Sequence, residues 1–202
     1  MCEQLIDSLT SRKNSIHEKI PGSTIESDAG NPVFITDQQI AKGWIIVDLV
    51  EKKYFEDIAV GDSCISVGRT ITETDIVNFA GISGDYNTIH TDAEYAKSSI
   101  AGQRLAHGLL VMVIASGLFT RTAYNLSITE TLTALAEIKS WKFLKPVLIG
   151  DTIHVLVEII EKADAKPESK SGRIIFRRSV VNQRGEVVQA GEYVSLIKKR
   201  GR

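Results

Sequence analysis

An acid, an amide and an imidazole fall within six positions at Asp85, Asn87 and His90, inside the polar string Ser83-Gly84-Asp85-Tyr86-Asn87-Thr88-Ile89-His90-Thr91-Asp92. A carboxylate and an imidazole held near each other can divide the work of proton transfer, because they titrate on opposite sides of neutrality and each can orient a water. Adding water across a double bond beside a thioester carbonyl asks for such a pair. One proton must leave the attacking water and one must reach the carbon next to the carbonyl. Strings such as Ser-Gly-Asp and Asp-x-Asn are also common in loops, where they bond local backbone, and on pattern alone that reading stays open. The second polar anomaly is His107-Gly108, at the start of an apolar run. Free amides at a helix N-terminus favour negative charge, so the place suits an oxyanion; a capping or core histidine is the plainer alternative.

These residues need elements to hold them. Thr72-Glu73-Thr74-Asp75 supplies acceptors for the free amides of a first helical turn, and Ile76, Val77, Phe79 and Ala80 give the helix that follows an apolar face. The motif string lies after this helix. A second helix is expected over Leu105 to Tyr124; it is apolar nearly all round and is therefore expected to be buried. Val60-Gly61-Asp62 reads as a turn and Cys64 to Ile71 as a strand. Thr131 to Phe143, Asp151 to Glu161, Arg173 to Asn182 and Glu186 to Lys198 then read as strands separated by turn formers. One helical block followed by a run of strands predicts an α+β domain, with an antiparallel sheet wrapped around a buried helix.

Residues 1–50 differ from the rest. Cys2 to Ile20 has helical spacing, Pro21 to Pro32 concentrates turn formers, and Ile45 to Val50 is a short β-type run. We expect an extension over 1–50 and a catalytic domain over 51–202. At 202 residues the chain can bury a core without disulfides or a structural metal, and Cys2 and Cys64 have no metal-like spacing. A net charge of -1 argues against non-specific binding to nucleic acid or to anionic membranes. The N-terminus lacks the pattern of a secretory signal, and no apolar stretch has bilayer-spanning length. The expectation is a cytoplasmic protein with no nucleic-acid or membrane partner.

Three stretches, in order, resemble the MaoC-like and R-specific enoyl-CoA hydratases of the hot-dog superfamily. Tyr54-Phe55-Glu56-Asp57-Ile58-Ala59-Val60-Gly61-Asp62 resembles the first strand of that family. Gly84 to His90 resembles its Asp-x-Asn-Pro-x-His motif, and Ala106-His107-Gly108-Leu109-Leu110 resembles the start of its central helix. The likeness runs from Tyr54 to Lys198. Thr88 departs from it, standing where the family motif usually has proline, which puts substrate preference in question.

The resemblance implies a hot-dog fold and reversible hydration of a 2-enoyl-CoA to a 3-hydroxyacyl-CoA, with R stereochemistry. It implies that Asp85 and His90 activate water, Asn87 braces the loop, and the Gly108 amide meets the thioester oxygen. His107, Ser116 and Tyr86 are further candidates for substrate binding or for support of the site. No cofactor or metal is implied beyond the coenzyme A thioester substrate, and the assembly implied is a homodimer, with higher homo-oligomers open. A hot-dog acyl-CoA thioesterase and a non-catalytic acyl-thioester-binding protein are the alternatives. His154 is expected to be a surface or satisfied sheet histidine and His17 gets no role. Arg173, Arg177, Arg178 and the Lys198-to-Arg202 tail are expected mainly on a solvated basic face.

Overall fold

The computed structural model describes residues 25–26, 32–33, 50–164 and 168–201. The chain divides into two compact units, Met1–Ile46 and Val47–Arg202. In the first, β1 (Ile25–Glu26) pairs antiparallel with β2 (Pro32–Val33), Ile25 opposite Val33. A short ladder therefore stands within the stretch expected to be a loop. The expected helix over Cys2 to Ile20 and nearly all of the run Ile45 to Val50 lie outside the described residues.

Burial alternates along the central strands of the sheet, which places one side of each against the core. In β6 (Thr152–Asp164), Ile153, Val155, Val157 and Ile159 are buried, while His154, Leu156 and Glu158 face the other way. β7 (Ser171–Asn182) and β8 (Val187–Lys198) continue the pattern, and β5 (Leu132–Phe143) follows β8. With β3 (Ser63–Ile65) and β4 (Arg69–Thr70) the order is β3-β6-β7-β8-β5, β4 also pairing with β6, and every pairing is antiparallel.

On the inner face lies the long helix, numbered α4 below because three shorter ones precede it: α1 (Glu73–Ser83), α2 (Thr88–Thr91) and α3 (Ala93–Lys97). α4 spans Gly108–Thr120 and buries Leu110, Val111, Ile114, Ala115, Leu118 and Phe119 against sheet residues such as Val155, Phe176 and Val180. Each such large side chain removed from water stabilises the fold by about 1.5–3 kcal/mol. The α+β architecture expected from the sequence, an antiparallel sheet around a central helix, is the one observed.

Several expectations change. The segment Tyr54 to Asp62 is no strand: Phe55–Asp57 forms one 3-10 turn, closed by the Asp57 carboxylate accepting the Tyr54 N–H at 2.9 Å. The strand expected over Cys64 to Ile71 breaks into β3 and β4, because the Ser66 hydroxyl accepts the Val155 N–H at 2.9 Å. The helix expected over Leu105 to Tyr124 ends at Thr120, and Thr122 caps a new helix, α5 (Ala123–Ile128). Nor is α4 buried all round: Leu109 and Val113, one turn apart, are 59% and 61% exposed. His154 is half-buried beside the Ser66 carbonyl, as a sheet histidine should be.

The expected basic face also divides. Arg173 and Arg177 lie on the outer side, each paired with a glutamate of β6. Arg178 points inward and is buried, its guanidinium 4.3 Å from the Phe119 ring and 3.8 Å from that of Tyr193. Burial pushes its pKa down to about 10, so it stays charged at neutral pH, and the ring faces replace part of the lost hydration. In the tail, Lys199 pairs with Asp164 at 2.7 Å and Arg200 with Asp57 at 2.5 Å.

Candidate active site

Local chemistry fixes each segment that reaches the site. The Thr72 hydroxyl accepts the Asp75 N–H while the Asp75 carboxylate accepts the Thr72 N–H, so α1 starts with a reciprocal cap. Gly84, at φ 73°, ends it in the left-handed conformation that glycine adopts without a steric penalty. The chain then turns sharply. The Asp85 carboxylate accepts the Asn87 N–H at 3.2 Å, and the Asn87 side chain accepts the Ile89 N–H at 3.2 Å, capping α2. Asn87 therefore braces the loop through its own backbone and side chain.

His90 follows one turn later. Its Nδ1 lies 2.9 Å from the Leu105 carbonyl oxygen, which can only accept, so Nδ1 carries a proton and, in the neutral ring, Nε2 keeps the lone pair. Leu105 in turn donates its N–H to the Ile89 carbonyl at 3.2 Å, and Ala106 donates to the Val147 carbonyl at 2.9 Å. The imidazole is thus oriented by a strip of backbone tied on both sides. His107 comes next, 2% exposed, with its ring 3.9 Å from that of His90 at 30° and its Nε2 3.0 Å from the Asp85 carbonyl oxygen. One donor atom each from Asp85, His90 and His107 lies within 4.8 Å of the others.

Gly108 opens α4. The first amides of a helix have no partner within it, and the His107 side chain does not cap them. The Gly108 carbonyl accepts a hydrogen bond from Gln189 Nε2 at 2.9 Å, while Gln189 Oε1 accepts from the Trp141 indole at 3.2 Å. A β-carbon at Gly108 would stand 2.8 Å from the Phe143 ring, so only glycine lets the strand come this close to the helix. Around these groups is a cavity of about 400 Å³, walled by His90, Gly108, Val111, Phe143, Pro146 and Gln189. A larger groove of about 660 Å³ on the outer side of β3, β6 and β7 offers no comparable set, since its charged pair Arg177 and Glu158 face each other at 3.6 Å.

Asp85, His90 and His107, all singled out from the sequence, come together beside Gly108 at this end of α4, with Asn87 on the Asp85 loop; of these residues His90 and Gly108 line the cavity. Tyr86 is on the same loop but 65% exposed. Ser116 lies half-buried on α4, about 12 Å of helix rise beyond Gly108, and does not line the cavity. The sequence reading missed Leu105, Trp141 and Gln189. Gln189 sits in a strand where an alternating pattern expects an apolar side chain, and a polar residue on the inner face was the signal available.

Residues 55–178 match the family model described as the MaoC like domain. The chain belongs to the MaoC-like family. It is 36% identical to the (R)-specific enoyl-CoA hydratase of Rhodospirillum rubrum, over 73% of this chain and 94% of that one. It is 35% identical to the 3-hydroxybutyryl-CoA dehydratase of Methylorubrum extorquens, over 73% and 85%. Protein MaoC of Klebsiella aerogenes is 41% identical over 52% of this chain, which spans only 30% of that longer protein. Among solved structures, the monoamine oxidase regulatory protein of Archaeoglobus fulgidus superposes with a TM-score of 0.67 at 39% identity, covering 74% of this chain and 96% of that one. A Mycobacterium tuberculosis protein described as having a double hot-dog fold superposes with a TM-score of 0.64 at 19% identity, covering 74% of this chain and 45% of that one. The MaoC-like chain described above has the hot-dog fold.

Proposed function

We propose that this chain catalyses reversible hydration of a 2-enoyl-CoA to a 3-hydroxyacyl-CoA, with R stereochemistry. The carrying observation is that Asp85 and His90 bring a carboxylate oxygen and a ring nitrogen within 4.8 Å of each other, and that His90 and the uncapped amide of Gly108 line one cavity. Water held between the carboxylate and the imidazole gives up a proton as its oxygen bonds to the β-carbon. The π electrons move toward the thioester oxygen, where the Gly108 N–H and the positive end of α4 meet the developing charge. A proton delivered to the α-carbon completes the addition, and the reverse sequence is dehydration. The named activities of the Rhodospirillum and Methylorubrum relatives support this direction of reasoning.

The reading requires no metal or redox cofactor, because the thioester itself acidifies the α-position. By residue type the trio could take a metal ion. Two features favour proton transfer instead: His107 has Nε2 engaged with the Asp85 carbonyl and Nδ1 enclosed, and the two rings stack face to face where metal ligands would converge edge-on. A second copy of the chain is the partner we assign, covering the exposed stripe of α4. No helix among the described residues is long and apolar enough to cross a membrane, and we assign the enzyme to the cytoplasm.

The test is loss of the ultraviolet band of the conjugated thioester when the protein meets crotonyl-CoA, run beside His90→Ala. Wild type should remove the band and the variant should be slower by about 100-fold or more. Release of free thiol with no loss of the double bond would instead establish the thioesterase alternative.

A further inference from the structure

Among the described residues, His107 is the one that touches all three parts of the proposed chemistry. It precedes Gly108 in the chain, donates from Nε2 to the Asp85 carbonyl at 3.0 Å, and lies against the His90 ring at 3.9 Å, with Phe79 on it at 5.0 Å. It is also the N-cap of α4, yet its side chain caps nothing there. An N-cap side chain ordinarily folds back onto the amides of the first turn. Here it reaches across to the motif loop, which leaves those amides for a ligand.

The other ring nitrogen sharpens the point. Nδ1 is buried without a hydrogen-bond partner, and buried polar atoms are seldom left that way. A phenyl ring would fill the same space and avoid the orphaned atom. Phenyl cannot supply the Nε2–H that holds the Asp85 carbonyl, so the donor is the property the site requires.

We propose that His107 is a positioning residue: it fastens the Asp85 loop to the N-terminus of α4 and so sets the placement of Asp85 relative to His90 and the Gly108 amide. The proposal rests on the hydratase reading for its effect on turnover, but its structural half stands on geometry alone. His107 itself takes no part in proton transfer, since one nitrogen is engaged with backbone and the other is enclosed.

Two variants separate the ring from its donor. His107→Phe keeps the stack on His90 and loses the hydrogen bond; His107→Gln places an amide N–H near the position of Nε2 and loses the ring. With crotonyl-CoA, His107→Phe should lose about 100-fold in kcat, the scale of a misplacement of roughly 1 Å. Its KM should shift by no more than about threefold, because the lost contact acts on placement and not on substrate binding. His107→Gln should recover kcat to within about fivefold of wild type. Hydrogen exchange should quicken at the amides of residues 85–89 in His107→Phe and stay near wild type in His107→Gln. Unchanged kcat and exchange in His107→Phe would overturn the proposal, as would a His107→Gln loss equal to that of His107→Phe. Should wild type hydrate no enoyl thioester, the function fails, and the exchange measurement still decides whether His107 fastens the loop.

Discussion

Thr88 shows how much of a site is written in single residues. The family pattern puts proline there, and the sequence alone left open what threonine would do. In the fold Thr88 is the first residue of α2, directly after the Asn87 cap. Proline is favoured at a first helical position because its φ is preset and the N–H it lacks has no helical partner. Asn87, at φ -53° and ψ 134°, already has the extended backbone that a following proline demands. The threonine therefore costs rigidity and leaves the geometry intact. Thr88→Pro should raise stability by about 0.4–1 kcal/mol through the unfolded chain, with kcat for crotonyl-CoA near that of wild type, read by thermal melting and by the absorbance assay. A lowered melting temperature would mean that Thr88 holds a contact the backbone does not reveal. Asp85, His90 and Gly108 stand out in the sequence as candidates because their residue types and order suit proton transfer and an oxyanion. The destination of each hydrogen bond was not, since Leu105, which orients His90, acts through a backbone carbonyl that every residue possesses.

Between elements, the strip that orients His90 hangs on the loop 144–151, and that loop hangs on Asp151. Its buried carboxylate accepts from the Leu148 N–H at 2.9 Å, from Gln183 at 2.7 Å and from Arg184 at 3.0 Å. The loop in turn holds Ala106 through Val147, and so positions Leu105 and His90. Burial pushes the Asp151 carboxyl up, but the donors of Leu148, Gln183 and Arg184 outweigh it and hold the group below the usual carboxylate range. A carboxyl lowered in the folded state contributes stability above its unfolded pKa, near 3.9, and loses that contribution as pH falls through the folded value. Asp151→Asn should therefore destabilise by about 1–3 kcal/mol at pH 7, with the gap to wild type closing below about pH 4. Urea unfolding across pH checks both; a gap constant down to pH 2 would show that the carboxylate charge does not matter. Nearby Glu186, held at about 2 by Asn182, Lys145 and Arg184, titrates at the bottom of the same window. Strand and helix order could be read from periodicity, whereas this loop could not: Asp151 looked like ordinary turn chemistry. Arg178 was missed for a related reason, because charge pattern assigns an arginine to solvent unless the rings of Phe119 and Tyr193 are known to enclose it.

At the scale of the whole molecule, the apolar run of α4 predicted complete burial, and the single chain falls short of it along one line. Leu109 and Val113 share a face of the helix and stand exposed at the end that carries Gly108. The sheet falls short on the same account: β5 is an edge strand with Leu135, Ile138 and Phe143 exposed. Its register shifts and its Glu137, Lys139 and Lys142 are the usual protections against indiscriminate pairing, which suits a defined partner better than an open edge. A helix that is apolar all round but wet on one side is what half of a symmetric interface looks like, and a stable interface needs about 800 Å² from each chain. The cavity adds a functional argument, because Phe143 walls it and is itself half exposed, so whatever covers β5 also closes the site. Wild type at micromolar concentration should therefore scatter light as a dimer or a multiple of one. Leu109→Glu combined with Val113→Glu should give monomers that keep their secondary structure and lose most hydratase turnover, since two buried charges per chain make association unfavourable. Monomeric wild type with full activity would end this account, and the exposed stripe would then need an occupant other than a second copy of the chain.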